Sequence, residues 1–564
     1  MVDVDVITQE VIRARLDGIV REMQASVLRT GFSTIIRETH DFSAGILDRE
    51  GKSIGQYSGL PPHLGAYPAC VNGILQFYGY DEMEDGDCFL INHPYYSGCP
   101  HPNDMVVVMP VFYHEEVVAF CASMGHKSDI GGQSPGSRNA GARDIFGEGL
   151  QIMPVKFLSR RHPVKETEQF IRANSRTSDL VLGDLGAQSG ALWSIGSSRL
   201  KGLMDEYSKE VVLGAFEQIG QRTAERVRQE VSTWQDGVFE AEGFIDDIAN
   251  PGHPIRLHVA VVKEGEHLLI DFSGCGDQSI GPINVRPPFL RGSAYYAVVA
   301  MIDPRLPNNF GLAEAVECKF RKGSIVDPAF PGPVGFYSVT LPIVEDALFT
   351  ALAKAARRPM VAHSASSHLV VIGASGERAR PYVQYELLLA GSRGWDGGDG
   401  FTGTGHDFGG GSKFTSVEIL ESEFPVELGQ FRLIPDSGGA GKFRGGPSIR
   451  RDYILQAESQ FAGGADRIFR PPHGADGGMD GRSGSVTLNP GAADEHRYVG
   501  LVSNVQIKPG DMLRVETASG GGVGRPEDRD PVRVVSDLLN GYVTPDAARH
   551  TYGLSEEKMV EAES

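Results

Sequence analysis

The stretch "HPNDMVVVMPVFYHEEVVAFCASMGHKSDIGG", His101 to Gly132, sets two apolar, β-branched runs around the polar tetrad Tyr113-His114-Glu115-Glu116. Each run has the length of a strand and the tetrad suits a turn, so the segment reads as an antiparallel hairpin. A turn centred between His114 and Glu115 sets Asp104 opposite Gly125 and Asn103 opposite His126. Opposed Cα atoms in such a ladder lie about 5 Å apart, so His101, Asp104 and His126 converge at one end of the hairpin. Pro110 lacks an N–H and calls for an edge position or a bulge in the first strand. A one-residue bulge would shift the register and still leave the three polar residues neighbours.

Two imidazoles and a carboxylate with coordination positions left open form the facial set used for catalytic iron, manganese or zinc. Asp129 is either a fourth ligand or an acceptor that orients His126. The plainer alternative is that His101 opens a loop after Pro100, Asp104 starts a strand and His126 ends one.

Outward from the hairpin, "TQEVIRARLDGIVREMQASVLRTG" carries a 3.6-residue apolar period from Thr8, a candidate cap, to Gly31. Strand-like runs and turns follow to about Lys156, and helical patterns run from Glu166 to Phe239. Beyond Gly243, "IRLHVAVVKEGEHLLIDFSG" alternates like a hairpin, which places a domain boundary there. Glycine is dense from Gly391 onward, in "GSRGWDGGDGFTGTGHDFGGGSK", "DSGGAGKFRGG" and "ASGGGVGRPEDRDP", as either ordered or mobile loops. The expected fold is α+β, a mixed multi-layer architecture. An N-terminal α/β region with the metal site occupies 1–242, and a β-rich, Gly-rich region occupies 243–564.

The chain has 564 residues and a formal net charge of -20, which argues against a sequence-independent nucleic-acid binder. Its six cysteines are widely spaced with no CxxC pair, so they read as core residues rather than zinc ligands or a disulfide framework. No segment reaches the roughly 18 apolar residues of a membrane span, and the amino terminus lacks a signal-peptide pattern. The expected location is the cytoplasm, with no membrane partner.

Several motifs are weighed and set aside. "GQSPG" around Ser134 fits GxSxG, but Pro135 has no N–H for an oxyanion hole. "GAGKF" and "GTGHDF" fall short of a P-loop and a dinucleotide turn. His363 and His368 in "AHSASSHL" read as helix or loop residues. In "RETHDFSAGILD", Asp41 lies beside Arg37, Glu38 and His40. Cationic neighbours keep a carboxylate ionised, which suits Asp41 to take a proton from water or to join a structural ion-pair network.

"RETHDFSAGILD", "HPNDMVVVMPVF", "GHKSDIGG", "GDLGAQSGA", "DFSGCGDQSIGPIN", "KGSIVDPAFPGPV", "DSGGAGKFRGG" and "SGGGVGRPEDRDP" occur in the order of the hydantoinase B/oxoprolinase family, which the chain resembles over nearly its whole length. The resemblance implies the β-type subunit of an ATP-dependent enzyme that opens a hydantoin, oxoproline or lactam ring. It also implies a separate hydantoinase A-type ATPase subunit as partner, which holds ATP and Mg and phosphorylates the cyclic amide, within a hetero-oligomer. A divalent metal, manganese or zinc, is implied at His101, Asp104 and His126, and the water-activating carboxylate at Asp41. The related acetone and acetophenone carboxylases supply the alternative reading, with the same metal serving carboxylation of a ketone.

Overall fold

The protein is described by a computed structural model covering residues 2–555 and 557, apart from 58, 251, 375–380, 405–408, 410, 465 and 466. Most of "GTGHDF" therefore lies outside the described residues. The hairpin forms as expected and becomes the centre of a seven-stranded antiparallel sheet. Its strands are β1 (Phe42–Asp48), β2 (Ser53–Gln56), β3 (Cys88–Ile91), β4 (Asp104–Tyr113), β5 (Glu116–His126), β6 (Val155–Ser159) and β7 (His162–Pro163), in the order β2-β1-β5-β4-β3-β6-β7.

Both faces of this sheet are covered, which is why β4 and β5 read as unbroken apolar runs rather than alternating ones. Val106, Val108, Phe120 and Ala122 enter a core shared with the helices His63–Leu75, Pro287–Ile302 and Tyr337–Ala355. Met105, Val107, Met109 and Cys121 face the helices Val6–Thr30, Ser178–Ala191 and Lys209–Ser232. The first helix starts two residues before the expected cap, because Asp5 is the residue that caps it, accepting from the N–H groups of Ile7 and Thr8 at 3.0 Å.

The register expected from the turn holds next to it, where Tyr113 faces Glu116 and Phe112 faces Val117. A bulge then intervenes: Val111 faces Ala119, and Val118 is the extra residue. Val118 and Ala119 consequently belong to the same core. The shift corrects the far end of the ladder, where Asp104, not Asn103, stands opposite His126. Pro110 is tolerated in a central strand because β3 pairs only with Val106 to Val108 and stops short of it.

Residue 242 falls inside the strand Gly237–Ile245, which pairs without interruption with Ile255–Glu264. One hydrophobic core contains residues from both sides of that position, Phe89 and Val106 with Leu257 and Phe289. Two long helices, Pro287–Ile302 and Tyr337–Ala355, interrupt the region expected to be β-rich. Strands dominate from His368, which opens the strand His368–Ala374 rather than sitting in a helix or loop. The remaining strands form two sheets, of four and five strands.

The described parts of the Gly-rich stretches are ordered. They lock together through backbone hydrogen bonds from Gly446 N to Ser392 O (2.8 Å), Gly520 N to Gly446 O (3.0 Å) and Gly439 N to Gly520 O (2.9 Å). No helix among the described residues is long and apolar enough to cross a membrane.

Candidate metal centre and its cavity

Asp104 is the first residue of β4 and His126 the last of β5, so the ladder itself sets them side by side. His101 lies in the turn entering β4, where its carbonyl accepts from Asp104 N at 3.2 Å. His126 Nδ1 is 3.1 Å from Asp104 Oδ1, His101 Nε2 is 3.2 Å from Asp104 Oδ2, and the two imidazole rings are 5.0 Å apart. All three residues are buried, and one ligand atom from each lies within 4.8 Å of the others.

The electrostatics of the cluster match a metal-binding set. Burial pushes His126 down to about 3 and lowers His101, so both imidazoles stay neutral and keep lone pairs to donate. Burial alone would raise Asp104, but contact with His101 and His126 outweighs it and holds the carboxyl well below its usual range. His126 Nε2 is buried with no hydrogen-bond partner, the type of orphan atom that a bound cation explains. The residues present therefore fit a divalent metal.

Asp41 joins the site through the backbone. β1 pairs with β5, Phe42 opposite Gly125, and the next rung is His126 N donating to Asp41 O at 3.1 Å. Ahead of it, the chain makes a π-helical turn over Ile35–Thr39 and then a left-handed residue, His40, with φ 60°. Such turns often mark functional sites. Asp41, His101 and His126 line one narrow cavity, walled by His63, Phe289, Tyr337, Tyr385 and Leu389, with Arg138 at its side.

Two expectations about this neighbourhood are corrected. Arg37 points away and pairs with Glu423 at 2.8 Å, while burial and then Lys413 lower His40, so neither is the cation that keeps Asp41 ionised. Burial, and next the charge of Asp104, instead raise Asp41 to about 7, with Arg138 and Lys127 opposing. Asp129 is neither ligand nor acceptor for His126. Its Oδ1 accepts from Gly131 N and Arg176 N at 3.0 and 2.8 Å, and its Oδ2 from Gly136 N and Arg176 Nη1, both at 3.0 Å. Ser134 is not among the residues lining the cavity.

Sequence reasoning missed His63, Arg138, Tyr337 and Tyr385. A cation flanked by small polar residues, in "GSRNAG", was the available signal for Arg138. The tyrosines carried none, since they arrive from a helix and a strand more than 200 residues away.

Comparison with known proteins agrees with this geometry. A relative from Pseudomonas sp. (strain NS671), provisionally named as the B-type component of a D-/L-hydantoinase, is 29% identical, covering 98% of this chain and 95% of its own. The beta component of the caprolactamase of Pseudomonas jessenii is 28% identical over 98% of this chain and 96% of its own. The crystal structure of the ATP-dependent caprolactamase from that organism superposes with a TM-score of 0.87 over the full length of both chains, at 25% identity. Nucleotide-free acetone carboxylase shares the fold, with a TM-score of 0.86 at 17% identity over 99% of this chain and 82% of that one. With a match to the family extending over residues 5–526, this chain belongs to the hydantoinase B/oxoprolinase family.

Proposed function

We propose that this chain is the β-type subunit of an ATP-dependent cyclic amide hydrolase, working with a hydantoinase A-type ATPase subunit that phosphorylates a hydantoin, oxoproline or lactam. The observation that carries the reading is that Asp41, a carboxyl titrating near 7, shares a cavity with His101, Asp104 and His126. The full-length likeness to a caprolactamase subunit supports it.

An amide resists water because its nitrogen donates into the carbonyl. Phosphorylation of the carbonyl oxygen on the partner removes that donation. A divalent cation, manganese or zinc, held by His101, Asp104 and His126 would supply electrophilic polarisation of an oxygen in the cavity. Asp41 accepts the proton of the attacking water at its carboxylate, and a base titrating near ambient pH balances availability against strength. Phe289, Leu387 and Leu389 give the methylene carbons of a ring an apolar wall.

The test is to co-express the chain with its ATPase partner, supply ATP, Mg, bicarbonate and a panel of hydantoins, lactams and ketones, and read product masses. Gain of one water by a cyclic amide is the expected result. Bicarbonate-dependent gain of carbon dioxide by a ketone would overturn hydrolysis in favour of carboxylation. Asp41→Asn is expected to keep the partner's ATP turnover and lose ring opening at least about a hundredfold.

A further inference from the structure

Arg138 is 3% exposed and lines the same cavity. Its guanidinium donates to the carbonyl of Gly335 and, from Nη2, to the Tyr385 hydroxyl at 3.0 Å, and its Nη1 lies 3.4 Å from His101 Nδ1. Each of these partners is neutral, and Arg138 Nε is buried without a hydrogen-bond partner. The ion pairs of the cluster join Asp104 to His101 and His126 and do not include Arg138. A buried cation held only by neutral acceptors bears a desolvation penalty that an incoming anion relieves.

Tyr385 completes the arrangement. Its ring packs 4.5 Å from that of His126. Because its oxygen accepts from Arg138, its own O–H remains to donate. Formal charge points the same way. Asp41 and Asp104 balance Arg138 and the buried Lys127 nearby, so a divalent cation leaves the cavity with two surplus positive charges. That surplus matches a doubly charged anion, and a guanidinium fork beside a phenol fits an anion with several oxygens better than a lone carboxylate.

We propose that Arg138 and Tyr385 form a receptor for the phosphoryl oxygens of the O-phosphorylated substrate, holding that anion beside His126 in the cavity that Asp41 also lines. The receptor deepens the reading above and rests on its phosphorylation step. It also makes inorganic phosphate, the product that carries those oxygens away, a ligand of this chain.

The experiment is calorimetric titration of inorganic phosphate, and separately of acetate, into the purified full chain loaded with manganese. Wild type, Arg138→Gln, Arg138→Lys and Tyr385→Phe are compared, with metal content and thermal midpoint recorded for each. Wild type is expected to bind phosphate at least about tenfold more tightly than acetate, Arg138→Gln to weaken phosphate by about tenfold or more, and Arg138→Lys to fall between. Undetectable phosphate binding by wild type, or unchanged affinity in a metal-replete Arg138→Gln, overturns the receptor. Acetate binding as tightly as phosphate assigns the site to a carboxylate and overturns it too.

If Arg138→Gln does not fold, Arg138→Lys and Tyr385→Phe decide. In the assembled enzyme, added guanidinium is expected to restore ring opening to Arg138→Ala, a rescue that a purely structural role would not show. The titration needs no turnover, so an inactive substrate panel would overturn the functional reading while phosphate binding still tests the receptor.

Discussion

Asp104 holds its negative charge against burial because two imidazoles meet its two oxygens, at 3.1 and 3.2 Å. Removing one of them should disarm the cluster. His126→Ala is expected to lower the divalent metal bound by the purified chain at least about tenfold, read by elemental analysis, with the complex with the ATPase partner still forming. Full metal retention would place the ion elsewhere. Asp41 makes a prediction about pH with a definite sign. Its folded-state value of about 7 lies above the ordinary 3.8, so the native state binds the proton more tightly than the unfolded chain. The stability this lends is fully present below about 4 and is lost as pH rises through about 7. In chelator-treated protein, Asp41→Asn should flatten the fall in thermal midpoint between about pH 5 and about pH 8. Equal slopes in the two proteins would show that another group is responsible.

At the scale of elements, the site depends on how three chain segments end. The bulge at Val118 re-aims β5 so that His126 meets Asp104, and the left-handed residue His40 turns the chain out of the π-helical turn into β1. A β-branched side chain is poorly suited to that backbone conformation. His40→Val is expected to cost about 1–2 kcal/mol in chemical denaturation and to depress ring opening by displacing Asp41. His40→Gly should stay close to wild type in stability. If His40→Val were as stable as wild type, the turn would not be the constraint described. The hairpin, the first helix and the strand Phe42–Asp48 were all legible in the sequence, because apolar period and turn chemistry are local signals. The bulge was foreseen as an option at Pro110 but not placed, since Val117, Val118 and Ala119 are all apolar and do not reveal which of them is extra.

Across the whole molecule, the Gly-rich stretches act as one structure built from segments far apart in the chain. A Cβ on Gly520 would lie 1.8 Å from the carbonyl oxygen of Ser392, and one on Gly445 would lie 1.9 Å from that of Gly520. Backbone atoms cannot yield as a flexible side chain does. Gly520→Ala is therefore expected to lose about 3 kcal/mol or more, visible as a lower denaturation midpoint or loss of soluble protein. A wild-type midpoint would contradict the close approach. The sequence by itself determined the hairpin, the mixed architecture, the likeness to one family and the His101, Asp104, His126 set, because each is written in residues close together or in ordered motifs. The tertiary structure decided the rest. Bringing Arg138, Tyr337 and Tyr385 to the triad depends on how a helix and a later sheet pack against the first one, and the rise of Asp41 to about 7 depends on the burial that this packing creates. Desolvation and long-range packing belong to no single stretch of chain, so no local pattern encodes them.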